Sequence, residues 1–301
     1  MFAPAVRAAT YGRIALTGPS GAGKTYTALA LAHLLADGSR PAVIDTERGK
    51  SQLYKGINGW DFDVACPQTY SPASLTEALG VAAGDGYKVL VVDSWSHYWS
   101  GVEGMQEQAD RRQTGGNSFS GWKAARPDER RMIDAITSYP GHVIVTLRTK
   151  TAYVVEEIEQ NGRRKSVPRK IGLKPEQREN IEYEFDLVCD MDLENTLTVS
   201  KTRLPMLRGA VIPEPGEELA TTIRDWLADG EETMGPLAYR TEALADDVTV
   251  EQLRKLHADV RGAGLANAPV TDAEGHPMVL ADLIVARGRQ LGAGRPEAVA
   301  G

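Results

Sequence analysis

Residues 13–25 read RIALTGPSGAGKT, a short apolar segment followed by a glycine-rich loop. The loop matches the pattern G-x-x-x-x-G-K-[ST], the phosphate-binding loop (P-loop) of nucleotide-binding proteins. Its glycines allow the backbone to curl around phosphate groups, and the helix predicted to follow directs its positive N-terminus at the same anion. We therefore predict a triphosphate site, the alternative being a glycine-rich turn without a ligand. The residues predicted to bind the nucleotide are Gly18, Pro19, Ser20, Gly21, Ala22, Gly23, Lys24 and Thr25.

Three side chains have predicted roles at this triphosphate. Lys24 is expected to reach the β and γ phosphates, and the Thr25 hydroxyl is expected to bind Mg²⁺. Four apolar residues in segment 88–94 precede Asp93, which is the pattern of a buried strand that delivers one carboxylate to the metal. We therefore predict ATP and Mg²⁺ as cofactors, with Thr25 and Asp93 as the metal ligands.

Composition limits the classes of protein that fit. The chain has 301 residues, 42% of them hydrophobic, which is enough to bury a large core. It contains two cysteines without metal-ligand spacing, no secretory signal is visible, and no apolar run is long enough to span a membrane, so we expect a cytoplasmic protein without membrane contact. The net charge of -7 argues against nucleic-acid binding over the whole surface.

Apolar segments with strand and helix patterns alternate along the first half of the chain. Predicted helices over 24–36, 71–83 and 127–138 alternate with predicted strands over 42–45, 88–94 and 142–146. Such alternation is typical of an α/β fold with a mostly parallel sheet flanked by helices.

The segment 94–126 is polar and glycine-rich, and we predict a long loop there. Its aromatic residues lie near basic ones, here Arg111, Arg112 and Lys123, so they can stack on bases or simply pack in the protein. These aromatic residues are Trp95, Tyr98, Trp99 and Trp122.

A basic hairpin is predicted after the strand over 142–146. Segments 154–159 and 164–169 flank Asn161-Gly162, a strong hairpin signal. Between Arg148 and Lys174 there are eight basic and three acidic residues, a local charge of +5. Such a ribbon suits contact with a phosphate backbone, the alternative being a solvated hairpin. The predicted nucleic-acid-binding residues are Arg148, Lys150, Arg163, Arg164, Lys165, Arg169 and Lys170.

The remaining chain divides into three predicted parts. A second hairpin over 186–192 and 196–200 and a helix over 215–227 complete a core of residues 1–230. Residues 231–248 are polar and are predicted to be a linker. Residues 249–301 are predicted to form a small helical appendage, with a capping box of Thr249 and Gln252 and a second helix over 278–291.

The order of these motifs resembles the RecA/RadA class of P-loop ATPases. The matching segments are the P-loop, Ile44-Asp45-Thr46-Glu47, Val91-Val92-Asp93-Ser94 and Ser200-Lys201-Thr202-Arg203. Segments 167–175 and 181–186 resemble phage-borne nucleotide-binding proteins of the Sak type, minimal RecA-like ATPases associated with single-strand annealing and recombination. The resemblance implies a RecA-like core over roughly residues 10–230.

The resemblance also implies roles for single residues. Glu47 would activate the attacking water, the alternative being a surface pair with Arg48 or Lys50. Thr146 and Arg148, at the end of the strand in the sensor position, would report the γ-phosphate to the basic hairpin, although the amide side chain usual for this class is absent there.

Lys201 and Arg203 match the Lys-x-Arg fingers that relatives insert into a neighbouring subunit's site. We therefore expect a homo-oligomer, a ring or a filament, unless the two are ordinary surface charges.

The predicted function is an ATP-dependent enzyme that binds single-stranded DNA in recombination or annealing. Single-strand-binding or recombination proteins are possible partners. The alternative function is a P-loop switch or assembly ATPase that acts on a protein partner.

Overall fold

A computed structural model describes residues 7, 9–116, 118–160, 163–175, 181–231 and 233–293, with the backbone alone for 150–160, 163–175 and 293. None of the helices in these ranges combines the length and the apolar character that a membrane span requires.

Nine strands of the described chain form one mixed sheet with the order β3-β2-β4-β5-β1-β7-β8-β9, and β6 pairs with β5 outside this path. Strands β3, β2, β4, β5, β1 and β7 are parallel, as predicted, whereas β6, β8 and β9 run antiparallel to their neighbours. The strand bounds are β1 (Arg13–Gly18), β2 (Ala42–Asp45), β3 (Asp63–Ala65), β4 (Val89–Asp93), β5 (His142–Gln160), β6 (Arg163–Pro175), β7 (Leu187–Met191), β8 (Thr196–Thr202) and β9 (Val211–Pro213).

Helices cover both faces of this sheet. Alternate residues of β1 enter opposite layers: Ile14 and Leu16 pack with α1 and α6, while Ala15 packs with α2 and α5. Strands buried on both faces read as continuous apolar runs, as β1 and β4 do. The helix bounds are α1 (Lys24–Leu35), α2 (Pro72–Gly84), α3 (Ser96–Ser100), α4 (Met105–Arg111), α5 (Ser118–Thr137) and α6 (Glu217–Ala228).

The prediction of a long loop over 94–126 is wrong, because this segment contains α3, α4 and the first half of α5. Helix α5 begins at Ser118, and Pro127 lies in its interior rather than at its start. An interior proline removes one backbone hydrogen bond and its ring clashes with the preceding turn, at a cost of about 3 kcal/mol, so α5 depends on the burial of its apolar face. The aromatic residues of this segment pack within the protein, which was one of the two alternatives for them. Trp95 and Tyr98 are fully buried, and Trp122 stacks on Trp99.

Both predicted hairpins of the core are present. Strands β5 and β6 pair antiparallel from Thr149 opposite Pro175 to Gln160 opposite Arg163, and the Asn161-Gly162 turn lies outside the described residues. Strands β7 and β8 pair antiparallel as well, with a register shift between Val188 and Cys189.

The prediction for residues 231–301 needs two corrections. The predicted linker over 231–248 contains a helix, α7 (Pro236–Leu244), whose Ala243 is fully buried. The Gly235-Pro236 pair begins this helix, since proline is well suited to the first helical position. The predicted helical region also contains a short hairpin between α8 and α9, which includes Met278. The elements after α7 are α8 (Val250–Gly262), β10 (Pro269–Thr271), β11 (Pro277–Val279) and α9 (Leu280–Ala293).

This C-terminal region packs directly on the core. A Cβ atom placed on Gly80 of α2 would lie 2.7 Å from Cβ of Pro277, and one on Gly84 would lie 2.5 Å from Cγ2 of Thr271. The Asn267 amide donates a hydrogen bond to Asp134 of α5 at 2.8 Å. The predicted capping box of α8 is confirmed.

Candidate nucleotide-binding site

The P-loop lies between the carboxyl end of β1 and the start of α1. Gly21 and Gly23 adopt left-handed backbone conformations, with φ of 85° and 78°. A side chain at Gly23 would also collide with the Asn195 side chain, whose Oδ1 lies 2.5 Å from the position of the added Cβ. The N-cap residue of α1 is Gly23, which has no side chain to cap the helix, so the first N–H groups of α1 can bind an anion.

The Lys24 side chain folds back over this loop. Its Nζ donates to the carbonyl oxygens of Gly18 and Pro19 at 2.9 and 2.7 Å. Burial lowers the pKa of Lys24, while the charges of Asp93 and Glu47 raise it and that of Arg148 lowers it further. The ammonium group is therefore within electrostatic range of the charged residues expected at an ATPase site.

Thr25 and Asp93 meet beside the loop, as a shared metal site requires. The Thr25 hydroxyl donates to Oδ2 of Asp93 at 2.7 Å, although 68 residues separate them in the sequence. A hydroxyl and a carboxylate at this distance fit the oxygen donors that Mg²⁺ prefers.

The Asp93 carboxylate is buried and held from its other side by Thr146. The Thr146 hydroxyl donates to Oδ1 of Asp93 at 2.5 Å. Burial raises the pKa of Asp93, and the hydrogen bonds from Thr146 and Thr25 oppose that rise. Thr146 is itself fully buried. Its hydroxyl contacts Asp93, the predicted metal ligand. Direct sensing of the γ-phosphate by Thr146 stays a prediction.

The loop after β2 is fixed by Asp45. Its Oδ1 accepts from the Glu47 N–H at 2.7 Å, and its Oδ2 accepts from the N–H and hydroxyl of Ser51 at 2.8 and 2.5 Å. These bonds place Glu47 at the same sheet edge as Asp93, which pairs with Asp45 across β2 and β4.

Glu47 forms an ion pair that sequence reasoning missed. Its Oε1 accepts from Nη2 of Arg148 at 2.7 Å and from Nε at 3.3 Å, and its Oε2 lies 3.9 Å from Nζ of Lys50. The alternative of a surface pair with Lys50 is thus present as the weaker contact. Arg148 is opposite Gly18 in the register of β5 and β1, so its guanidinium joins the P-loop edge to Glu47.

A layer of buried polar groups supports this edge. Oγ1 of Thr46 accepts from the Ser94 N–H at 2.7 Å and lies 2.5 Å from Nδ1 of His97. Tyr70 donates from its hydroxyl to the Thr46 carbonyl oxygen at 3.0 Å and stacks on His97. No local pattern identifies this layer, because its members lie on three separated segments of the chain.

Lys201 and Arg203 lie away from this chain's own P-loop. Lys201 of β8 pairs with Val188 of β7, and Val188 pairs with Ala15 of β1. Ala15 is three residues before Gly18, so Lys201 is about 10 Å from the P-loop along the strand direction. Nζ of Lys201 donates to the Phe185 carbonyl oxygen. Arg203 is 60% exposed and lies 3.5 Å from Asp186. Their action in a neighbouring subunit's site stays a prediction.

The predicted nucleic-acid residues begin at Arg148, which is the one whose side chain the structure describes. The side chains of the other six, on the β5–β6 ribbon, lie outside the described part of the chain.

The P-loop follows β1, and Asp93 and Glu47 from neighbouring strands lie beside it. This arrangement is characteristic of P-loop ATPases. A family model described as an AAA domain matches residues 10–211, more than half of the 301-residue chain. The chain therefore belongs to this AAA domain family, which supports nucleotide-dependent ATPase activity. No curated protein matches the chain.

Proposed function

We propose that this chain is a RecA-like ATPase that binds single-stranded DNA and acts in phage-type recombination or strand annealing, in the cytoplasm of a bacterial or phage-infected cell. The observation that carries the proposal is the continuity of β5. Thr146 on this strand bonds to Asp93, Arg148 bonds to Glu47, and the same strand continues into the ribbon that pairs with β6.

The residues of the site have distinct roles in this proposal. Lys24 leaves the loop carbonyls to bind the β and γ phosphates, and Glu47 orients a water molecule and accepts its proton. Mg²⁺, bound by Thr25 and Asp93, would neutralise charge on the phosphate oxygens. Glu47 is paired with Arg148, which lies on β5 just before the ribbon. Breaking or forming this ion pair would therefore couple the catalytic carboxylate to the start of the ribbon.

The proposed active form is a homo-oligomer, a ring or a filament. Lys201 and Arg203 would supply positive charge to the transition state in a neighbouring subunit. The exposure of Arg203 supports this role more directly than the bonded position of Lys201 does.

The ATPase rate with and without single-stranded DNA tests the proposal. We expect stimulation by a thymidine oligonucleotide in the presence of Mg²⁺. Replacement of Arg163, Arg164 and Lys165 by Ala should abolish the stimulation while basal hydrolysis survives, since these cations are predicted to bind phosphate groups of the DNA. A matched control replaces three exposed cations of α8, Arg254, Lys255 and Arg261, by Ala.

Two results would overturn the DNA-binding function. One is the absence of binding to a labelled oligonucleotide at low salt with ATP and Mg²⁺. The other is unchanged stimulation in the ribbon variant. Hydrolysis without any DNA response would favour the alternative of an ATPase that acts on a protein partner.

A further inference from the structure

One face of α5 carries an exposed aromatic side chain followed by three exposed cations. Phe119, Lys123, Arg126 and Arg130 are spaced by four, three and four residues, which places them on one stripe of the helix. The stripe is about 16 Å long. The Phe119 ring is 67% exposed, so one of its faces is accessible to a ligand.

The cations of this stripe differ from the other basic residues of the same region. Arg111 pairs with Glu107 at 2.6 Å, and Arg112 pairs with Asp128 at 2.6 Å. Within the described residues, Lys123, Arg126 and Arg130 have no carboxylate within ion-pair distance. In a chain with a net charge of -7, three cations in a row that pair with no described carboxylate make a local positive patch, which attracts a polyanion.

The other faces of α5, one beside the stripe and one opposite it, fix the helix in the core. Trp122 stacks on Trp99 with ring centroids 5.2 Å apart, and Gly121 packs so closely on α4 that an added Cβ would lie 2.1 Å from the Ala109 carbonyl oxygen. The stripe therefore belongs to a fixed helix whose apolar side is already buried. A helix that lies in a membrane surface would need that apolar side itself.

The direction of α5 brings the stripe toward the ATPase edge of the sheet. The Thr137 carbonyl oxygen, at the end of α5, accepts a hydrogen bond from Arg13 at the start of β1. The helix is about 30 Å long and precedes β5 in the chain, so its beginning at Ser118 lies toward the edge where the parallel strands end. The β5–β6 ribbon leaves the sheet at that same edge.

We propose that the exposed face of α5 is a binding surface for single-stranded nucleic acid, with the phosphate groups on Lys123, Arg126 and Arg130 and an unstacked base on Phe119. Stacking on an aromatic ring requires a base that is free of a duplex, which favours a single strand over double-stranded DNA. An acidic peptide would use the cations but has no comparable need for Phe119. The inference rests on the proposed function and adds a second contact surface to the ribbon.

Fluorescence anisotropy with a fluorescein-labelled thymidine 30-mer tests this surface. The full-length protein is titrated with ATP and Mg²⁺ at several salt concentrations between 50 and 200 mM. For Lys123→Ala/Arg126→Ala/Arg130→Ala, we expect the slope of log affinity against log salt to decrease in magnitude by about 2, since each phosphate contact to a single strand contributes about 0.7. The α8 triple variant Arg254→Ala/Lys255→Ala/Arg261→Ala should leave the slope unchanged.

Phe119 is tested separately, because stacking and charge affect binding differently. Phe119→Ala should weaken binding about fivefold or more without changing the salt slope, and Phe119→Trp should retain the affinity. Basal ATPase rate and circular dichroism establish that each variant is folded.

The outcomes separate this inference from the proposed function. If the wild type does not bind the oligonucleotide, the proposed function fails and this inference fails with it. If the wild type binds and the α5 triple variant has the same slope, this inference alone is wrong. Equal affinity of the wild type for a duplex and for the single strand would also overturn it. So would a triple variant that still binds the oligonucleotide but no longer binds phosphatidylserine vesicles or polyglutamate.

Discussion

At the scale of single residues, Glu47 is the side chain on which hydrolysis is expected to depend most. Its carboxylate lies at the sheet edge beside Asp93 and is 23% exposed, so a water molecule can reach it. Arg148 occupies Oε1 of this carboxylate. The predicted catalytic base is therefore held by a cation from β5, the strand that continues into the ribbon.

Glu47→Gln should lower the rate of ATP hydrolysis by about 10²- to 10⁴-fold, since an amide cannot accept the proton of the attacking water. Nucleotide affinity should change little, because the phosphates are expected to contact Lys24 and the loop. Steady-state hydrolysis and titration with a fluorescent ATP analogue measure the two quantities. Lys50→Ala is the control, since Lys50 is 71% exposed and 3.9 Å from Glu47. A Glu47→Gln protein with the wild-type rate would remove Glu47 from catalysis.

The site residues differ in how far sequence alone predicts them. Lys24 and Thr25 belong to one local pattern, so their predicted contacts with phosphate and Mg²⁺ follow from a contiguous motif. Arg148 and Glu47 are 101 residues apart, and their pairing depends on β4 and β5 lying side by side next to β2. A single sequence contains no periodicity that specifies such a contact.

At the scale of elements, the contact between α2 and the β10–β11 hairpin provides a test of packing against helix propensity. Gly80→Ala should gain about 1 kcal/mol from propensity in an exposed helix. Here the new Cβ would lie 2.7 Å from Cβ of Pro277, and such overpacking costs about 1–3 kcal/mol. We therefore expect a lower midpoint of thermal unfolding.

Gly262→Ala is the matched control for this prediction. Gly262 ends α8, and nothing lies within 4 Å of the position of its Cβ. This variant should have an unchanged or higher unfolding midpoint. If both variants raised the midpoint equally, the C-terminal region would not be docked on α2 as described.

Element prediction from the sequence succeeds where a pattern is local and strong. The apolar runs of β1 and β4 and the capping box of α8 are such patterns, and each element is present. It fails for α5 and α7, because Pro127 lies inside one helix and Pro236 begins the other, and a local pattern does not distinguish these positions from a helix boundary or a linker. In both places burial of one helix face, which is a tertiary property, decides the outcome.

At the scale of the whole molecule, the order of the strands assembles the site. Strands β2, β4, β5 and β1 are consecutive in the sheet, so the ends that carry Glu47, Asp93, Arg148 and the P-loop form one edge. Lys201 and Arg203 lie toward the other end of the sheet. In a head-to-tail assembly, the two ends of neighbouring subunits can face each other.

A shared site predicts complementation between two defective proteins. Lys24→Ala lacks the phosphate-binding lysine, and Arg203→Ala lacks the predicted finger, so each variant alone should be nearly inactive. In a random equimolar mixture, about a quarter of head-to-tail interfaces combine an intact P-loop with an intact Arg203, so about a quarter of the wild-type rate should return. Steady-state hydrolysis at fixed total protein measures the recovery, and light scattering with a non-hydrolysable ATP analogue measures assembly.

The structure makes Arg203→Ala a suitable partner for this experiment. Its exposed pair with Asp186, at 3.5 Å, is expected to contribute little to stability. Loss of activity in this variant would therefore reflect the site rather than unfolding. A strict monomer in which Arg203→Ala hydrolyses ATP at the wild-type rate would show that each P-loop works alone. A mixture no more active than the mean of its two components would likewise exclude a site shared between subunits.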